Sequence, residues 1–146
     1  MNEFTIVTII ARPVDEVFAI ITDMERMPLW APGMSEARTT NDGPLEAGSA
    51  LIYRGTFLGR SLEMPFVCTG LTENKHFGTR TTGGPFYLET DSVLEPAAEG
   101  TRVTNTYRGE SRGFFKLAEP LVVRLSKKHW ETAAENLRAL MEDHAI

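Results

Sequence analysis

The sequence predicts an α+β fold in which a curved seven-stranded antiparallel sheet wraps a long C-terminal helix, with two short helices between strands one and two. Three observations lead there. Apolar residues recur with period two through the middle of the chain, and they recur with a helical period from Phe114 to the end. Strand-like and helix-like segments also fall into separate blocks instead of alternating.

The first element is residues 4–10, FTIVTII, whose β-branched residues read as a strand with both faces largely covered. The period then changes. Pro13 suits a first helical turn, Asp15 and Glu16 favour its dipole, and Val14, Val17, Phe18 and Ile21 recur at helical spacing, so a short amphipathic helix follows. Pro28, Pro32 and Gly33 keep a second helix brief and end it near Trp30. Turn chemistry at Asn41-Asp42-Gly43-Pro44, Leu58-Gly59, Glu73-Asn74, Gly83-Gly84-Pro85 and Glu99-Gly100 divides the alternating region into six antiparallel strands. Within them Leu51, Tyr53 and Phe57 share one face, as do Leu62, Met64, Phe66 and Cys68, and then Phe77, Thr79 and Thr81. Leu88, Thr90, Ser92 and Leu94 are set against Glu89, Asp91 and Glu95, and Val103, Asn105 and Tyr107 against Arg102, Thr104 and Arg108. Pro65 has no N–H to give a ladder, which predicts an edge position or a bulge for its strand. In the last element Leu117, Leu121, Leu125, Trp130, Ala133, Ala134, Leu137, Leu140 and Met141 form an apolar stripe opposite Lys127, Lys128, Glu131, Glu135 and Arg138. Pro120 predicts a kink or a fresh helix start within it.

At 146 residues, 42% hydrophobic and 24% charged, the chain has the length and balance for one sizeable core, and a single domain over residues 1–146 is expected. A net charge of -5 argues against a nucleic-acid binder driven by phosphate contacts. Cys68 is the only cysteine, which excludes an intramolecular disulfide and a cysteine metal cluster. Glu3 stands where a secretory leader is basic, and no apolar run approaches the roughly 20 residues that cross a bilayer. A cytoplasmic protein without stable membrane insertion is expected, with monomer and homodimer both open.

A sheet of this length must curl, and one helix laid across its concave side cannot fill the interior with side chains, so a pocket is the expected result. The run Ile10-Ala11-Arg12-Pro13-Val14-Asp15-Glu16-Val17-Phe18, continuing to Asp23 and Trp30, resembles the opening of the START/Bet v 1-like (SRPBCC) superfamily in its polyketide cyclase/dehydrase and lipid-transport branch. The C-terminal run AEPLVVRLSKKHWETAAENLRALMED is similar to the closing helix of that branch, including a proline near its beginning. With the strand pattern between them, the likeness spans nearly the whole chain. It implies a helix-grip fold with a deep ligand cavity and names no ligand.

The expected inner face supplies the candidate binding residues: Tyr53, Met64, Phe66, Phe77, Leu88, Thr90, Asn105 and Tyr107. Plain core packing is the ordinary reading for Leu88 and Phe66. Asn105 and Tyr107 read as pocket residues, because a buried amide or phenol without a partner costs about 1–3 kcal/mol. Trp30 and the apolar turn Phe57-Leu58-Gly59 fall where the resemblance puts the cavity mouth; for Trp30, gating and capping of the sheet are equal readings. Trp130, on the stripe of the last helix, joins the set, although helix tryptophans at this spacing are usually structural.

No motif announces a catalytic set, a metal site or a cofactor. His76, His129 and His144 are scattered and read as solvated, His129 on the polar side of the last helix beside Lys127 and Lys128. The inner strand faces carry no Asp, Glu, His or Lys, although a register error of one residue would turn Glu63, His76, Arg80, Glu89 or Asp91 inward. Arg108, Arg112, Lys116, Arg124, Lys127 and Lys128 form a basic stretch that reads as a solvated face balanced by Glu110, Glu119 and Glu131; anionic lipid headgroups or an acidic protein are its other partners. The expected function is binding of a hydrophobic small molecule, such as a lipid, polyketide, quinone or aromatic metabolite, as carrier or sensor. A polyketide cyclase or aromatase-type enzyme using polar cavity residues is the alternative.

Overall fold

In the computed structural model the chain runs through β1 (Asn2–Ile10), α1 (Val14–Ile21), a 3-10 helix (Met24–Leu29), β2 (Met34–Thr39), β3 (Ala50–Phe57) and β4 (Arg60–Thr72). It continues through β5 (His76–Thr81), β6 (Phe86–Ala97), β7 (Gly100–Ser111), a second 3-10 helix (Gly113–Ala118) and α2 (Glu119–Glu142). The structure describes residues 1–57 and 59–146, without the side chain of Phe114, so the turn expected at Phe57-Leu58-Gly59 lies partly outside the described residues.

All strands join one curved antiparallel sheet of order β1-β7-β6-β5-β4-β3-β2, a meander whose first strand returns beside its last. The order leaves β1 and β2 at the edges. The side chains of β1 are covered on one face only: Ile6 and Ile10 point to the core and are buried, whereas Val7 is 57% exposed. The expectation of two covered faces is corrected, because β-branching marks a strand without reporting what packs on each of its faces. Pro65 also departs from expectation, since β4 is an inner strand and its bulge lies at Cys68/Gly70. Its carbonyl accepts from the Thr82 amide at 2.9 Å, just past the end of β5. Carbonyl and amide of one strand residue point the same way, so the missing donor falls where the ladder has already ended.

Helix α1 begins behind Pro13 and buries Val17, Phe18, Ile20 and Ile21. The following 3-10 helix ends at Trp30, and Gly33 (φ +73°) then lets the chain press against β3. The Thr56 amide donates to the Gly33 carbonyl at 2.9 Å, and a Cβ on Gly55 would lie 2.5 Å from that same oxygen. Both glycines are required by this backbone approach, which carries Pro32 and Met34 to the concave side.

Pro120 lies in the first turn of α2, where its missing N–H costs no helical bond, so the fresh start is what forms. The buried residues of this helix are Val122, Ala133, Leu137 and Met141. The expected stripe ran too far toward its N-terminus: Leu117 is 90% exposed and Leu121 is 41% exposed. Leu117 belongs to the separate 3-10 helix, whose different turn breaks the phase of the repeat.

Both ends of α2 are tied to the sheet. Glu119 accepts from Asn2 Nδ2 and the Ser111 amide, each at 3.0 Å, joining the helix start to β1 and β7. At the other end Arg12 Nη1 donates to the Met141 carbonyl at 2.6 Å, satisfying a terminal helix acceptor. The closed end of the fold gathers Ile10, Val17, Leu94, Val103 and Met141, all buried. The half of α2 nearer Glu119 stands over open space.

Candidate functional site

That space lies between the concave face of the sheet and α2 and divides into two adjoining chambers, an outer one of about 190 Å³ and an inner one of about 70 Å³. Tyr53, Phe66, Leu88, Tyr107 and Trp130 form walls of both. Phe57 and Met64 belong to the outer chamber, and Trp30, Phe77, Thr90 and Asn105 to the inner one. Each of the eleven residues singled out as binding candidates thus lies on a chamber wall, whereas other members of the same faces and stripe, such as Leu51, Cys68 and Met141, pack in the core away from it. The alternation of the sheet is what brings them together, since inward positions on adjacent antiparallel strands converge on one surface.

Aromatic rings set the geometry where the chambers meet. Tyr107 is stacked between Phe4 and Trp130, with centroids 5.1 Å away on each side. Tyr53 packs on Phe66 at 4.6 Å, and its hydroxyl makes only a weak 3.6 Å bond to Met24 Sδ. The Tyr107 hydroxyl has no hydrogen-bond partner among the described residues. Burial pushes the Tyr107 phenol far above its ordinary pKa, and the nearby Tyr53 phenol adds to the shift. Burial does the same to Tyr53, with Cys68 contributing. Both groups are therefore neutral donors at physiological pH.

The inner chamber adds polar groups that are partly satisfied already. Thr79 and Thr90 share a hydroxyl–hydroxyl bond of 2.6 Å, and Ser92 Oγ donates to Asn105 Oδ1 at 2.6 Å. That second bond occupies the Asn105 oxygen and leaves its amide nitrogen as a donor on the wall. Trp30 is buried in the core cluster beside this chamber, its carbonyl accepting from Asn136 Nδ2 at 3.1 Å and its Nε1 lacking a partner. It lines the inner chamber and not the outer one.

His129 was expected in solvent and is instead half-buried on the outer wall. Its ring stands edge-on to Trp130 at 4.8 Å and to Phe57 at 6.3 Å, and burial lowers its pKa below the ordinary imidazole value. Lys127 and Lys128 suggested a polar face, but the helical repeat Val122, Ser126, His129, Ala133 would have placed it inward. His76 was also read as solvated; it is half-buried and pairs through Nε2 with Asp91 at 2.7 Å. Phe4 was missed as well, although Phe4, Ile6, Thr8 and Ile10 share its inward phase.

Charge is scarce on these walls. Among the described wall residues Arg54 is the one permanent cation, and Glu36 and Glu63 hold its guanidinium, each at 3.2 Å. Among the described residues no group of three or more His, Cys, Asp or Glu is placed to hold a metal ion. Among the described residues no helix is long and apolar enough to cross a membrane.

Residues 1–142 match the sequence profile of the family described as polyketide cyclase / dehydrase and lipid transport. No match is found among curated proteins. A START superfamily protein from Mycobacterium smegmatis superposes with a TM-score of 0.82 at 18% identity, covering 97% of each chain. A protein from Thermus thermophilus gives 0.81 at 20% identity over 94% of this chain and 95% of the other. The di-domain ARO/CYC BexL of the BE-7585A biosynthetic pathway gives 0.77 at 14% identity, over 97% of this chain and 47% of that one. At these identities the likeness shows a shared fold, a helix gripped by a curved sheet.

Proposed function

This chain belongs to the polyketide cyclase / dehydrase and lipid transport family, and we propose that it is a carrier or sensor of an uncharged, mostly apolar small molecule held in the two-chambered cavity. One observation carries the reading: two phenols without strong partners, Tyr107 buried and Tyr53 half-buried, sit where apolar chambers meet, on walls with no free cation among the described residues. Apolar walls favour a hydrophobic body, and neutral donors favour an acceptor oxygen such as a ketone, quinone or ester carbonyl. A carboxylate would lose its hydration with no free cation among the described wall residues to offset it. Lipid, polyketide, quinone and aromatic metabolites all meet this description in their uncharged forms. A cytoplasmic location, suggested by the single cysteine, belongs to the same proposal.

The test compares two ligands with one skeleton, an aromatic methyl ketone and the matching carboxylate, by displacement of an apolar fluorescent probe. The ketone is expected to bind at least about tenfold more tightly, and equal or reversed affinities would defeat the reading.

His129 supports a second reading, a cyclase or aromatase of the kind named in the BexL description. A half-buried imidazole held neutral by desolvation is a suitable general base for enolising a poly-β-ketone chain. Under that reading His129→Gln abolishes cyclisation of a poly-β-keto thioester while probe binding persists. No cyclisation by the unmodified protein would leave the carrier reading in place.

A further inference from the structure

The segment that leads into α2 presents an outward face that the cavity does not use. Leu117 is 90% exposed and Leu121 is 41% exposed, the first of these an unusual exposure for a leucine in an ordered helical turn. In the same stretch of chain Arg112, Lys116, Arg124, Lys127 and Lys128 are all exposed. On the same stretch Glu119 is already engaged by Asn2, Ser111 and Lys116, and Glu131 is the exposed carboxylate that remains. The local balance is thus positive on a chain whose net charge is -5. The same stretch of chain also supplies walls of the outer chamber, since Ser111, Val122, Val123 and Ser126 line it.

We propose that this face, Leu117 and Leu121 with the exposed basic side chains of the same stretch, docks the mouth of the cavity on an anionic lipid bilayer. The two leucines enter the headgroup boundary and the cations meet lipid phosphates and carboxylates. The assignment of ligand loading to this surface rests on the cavity reading above; the docking itself does not. A bilayer is favoured over an acidic protein because the exposed apolar area is limited to two leucines in a basic stretch of chain, whereas a protein partner would need a larger continuous patch.

The test is co-sedimentation of the full chain with phosphatidylcholine vesicles, with and without phosphatidylserine. Binding is expected only with the anionic lipid and is expected to weaken as salt is raised. Lys127→Glu with Lys128→Glu should weaken it at least about tenfold, and Leu117→Ser with Leu121→Ser at least about fivefold. Lys75→Glu, on the β4–β5 turn at the other end of the sheet, should leave it unchanged. Equal binding to both vesicle types, no binding, or undiminished binding by either double variant overturns the proposal, as does an acidic protein bound in place of vesicles. Uptake of an apolar fluorescent probe in vesicle-free solution keeps the two readings apart. Probe uptake without vesicle binding removes the docking surface alone, and vesicle binding without probe uptake removes the cavity reading alone.

Discussion

Tyr107 is where packing and chemistry meet in this protein. Its ring is fixed by Phe4 and Trp130 on its two faces, so the hydroxyl is aimed by stacking and not by a partner of its own. Tyr107→Phe keeps the stack and removes only the donor; ligand retention is expected to fall about threefold to tenfold with the melting temperature unchanged or slightly raised. Displacement titration and thermal unfolding of the same sample check both halves. His129 yields a prediction of opposite character. Desolvation lowers its folded pKa, so its contribution to stability is complete above the ordinary imidazole range and is lost as pH falls through that range toward the depressed value. Unfolding curves from about pH 7.5 to about pH 5.5 should show this loss, and His129→Phe should flatten it. Period two alone placed Tyr107 correctly, because an antiparallel strand with one covered face has only two directions for a side chain. His129 was harder to read, since its helix face is set by a phase of 3.6 residues that two adjacent lysines obscure.

At the scale of elements, α2 has a firm half and a working half. Toward its C-terminus Ala133, Leu137 and Met141 are buried and Arg12 holds the Met141 carbonyl; toward its N-terminus Val122, Ser126, His129 and Trp130 face the chambers. Glu119 keeps the working half in place, and the Ser111 amide, Lys116 and Asn2 together hold its carboxyl below the ordinary carboxylate pKa. A depressed carboxylate stabilises the fold above its unfolded pKa, and that contribution is lost as pH falls through the folded value. Glu119→Gln should therefore lower the melting temperature near neutrality and reduce the part of the acid destabilisation that this group contributes. It should also speed hydrogen exchange at the start of α2 while leaving exchange near Met141 unchanged. The order and kind of the elements were legible because prolines, glycines and period changes mark their borders. Sheet edges were not, since Pro65 and the β-branched run of β1 describe a strand locally, whereas being an edge depends on what pairs beside it.

For the whole molecule, the consequential feature is that the sheet curls farther than one helix can fill. The closed end is packed with Ile10, Val17, Val103 and Met141, and the opposite end keeps its space behind aromatic walls. The cavity was readable in outline from a long meander followed by a single long helix. Its division into two chambers was not, because that depends on the lateral placement of Tyr53, Phe66 and Tyr107 across three strands. The account turns on this space being occupied by a small molecule. Native mass spectrometry of the purified protein, followed by denaturing extraction, tests that most directly. The account predicts an added mass near one uncharged apolar molecule per chain, either carried through purification or taken up from an added apolar ketone. A bare mass in both cases, with no rise in melting temperature on adding apolar probes, would contradict it.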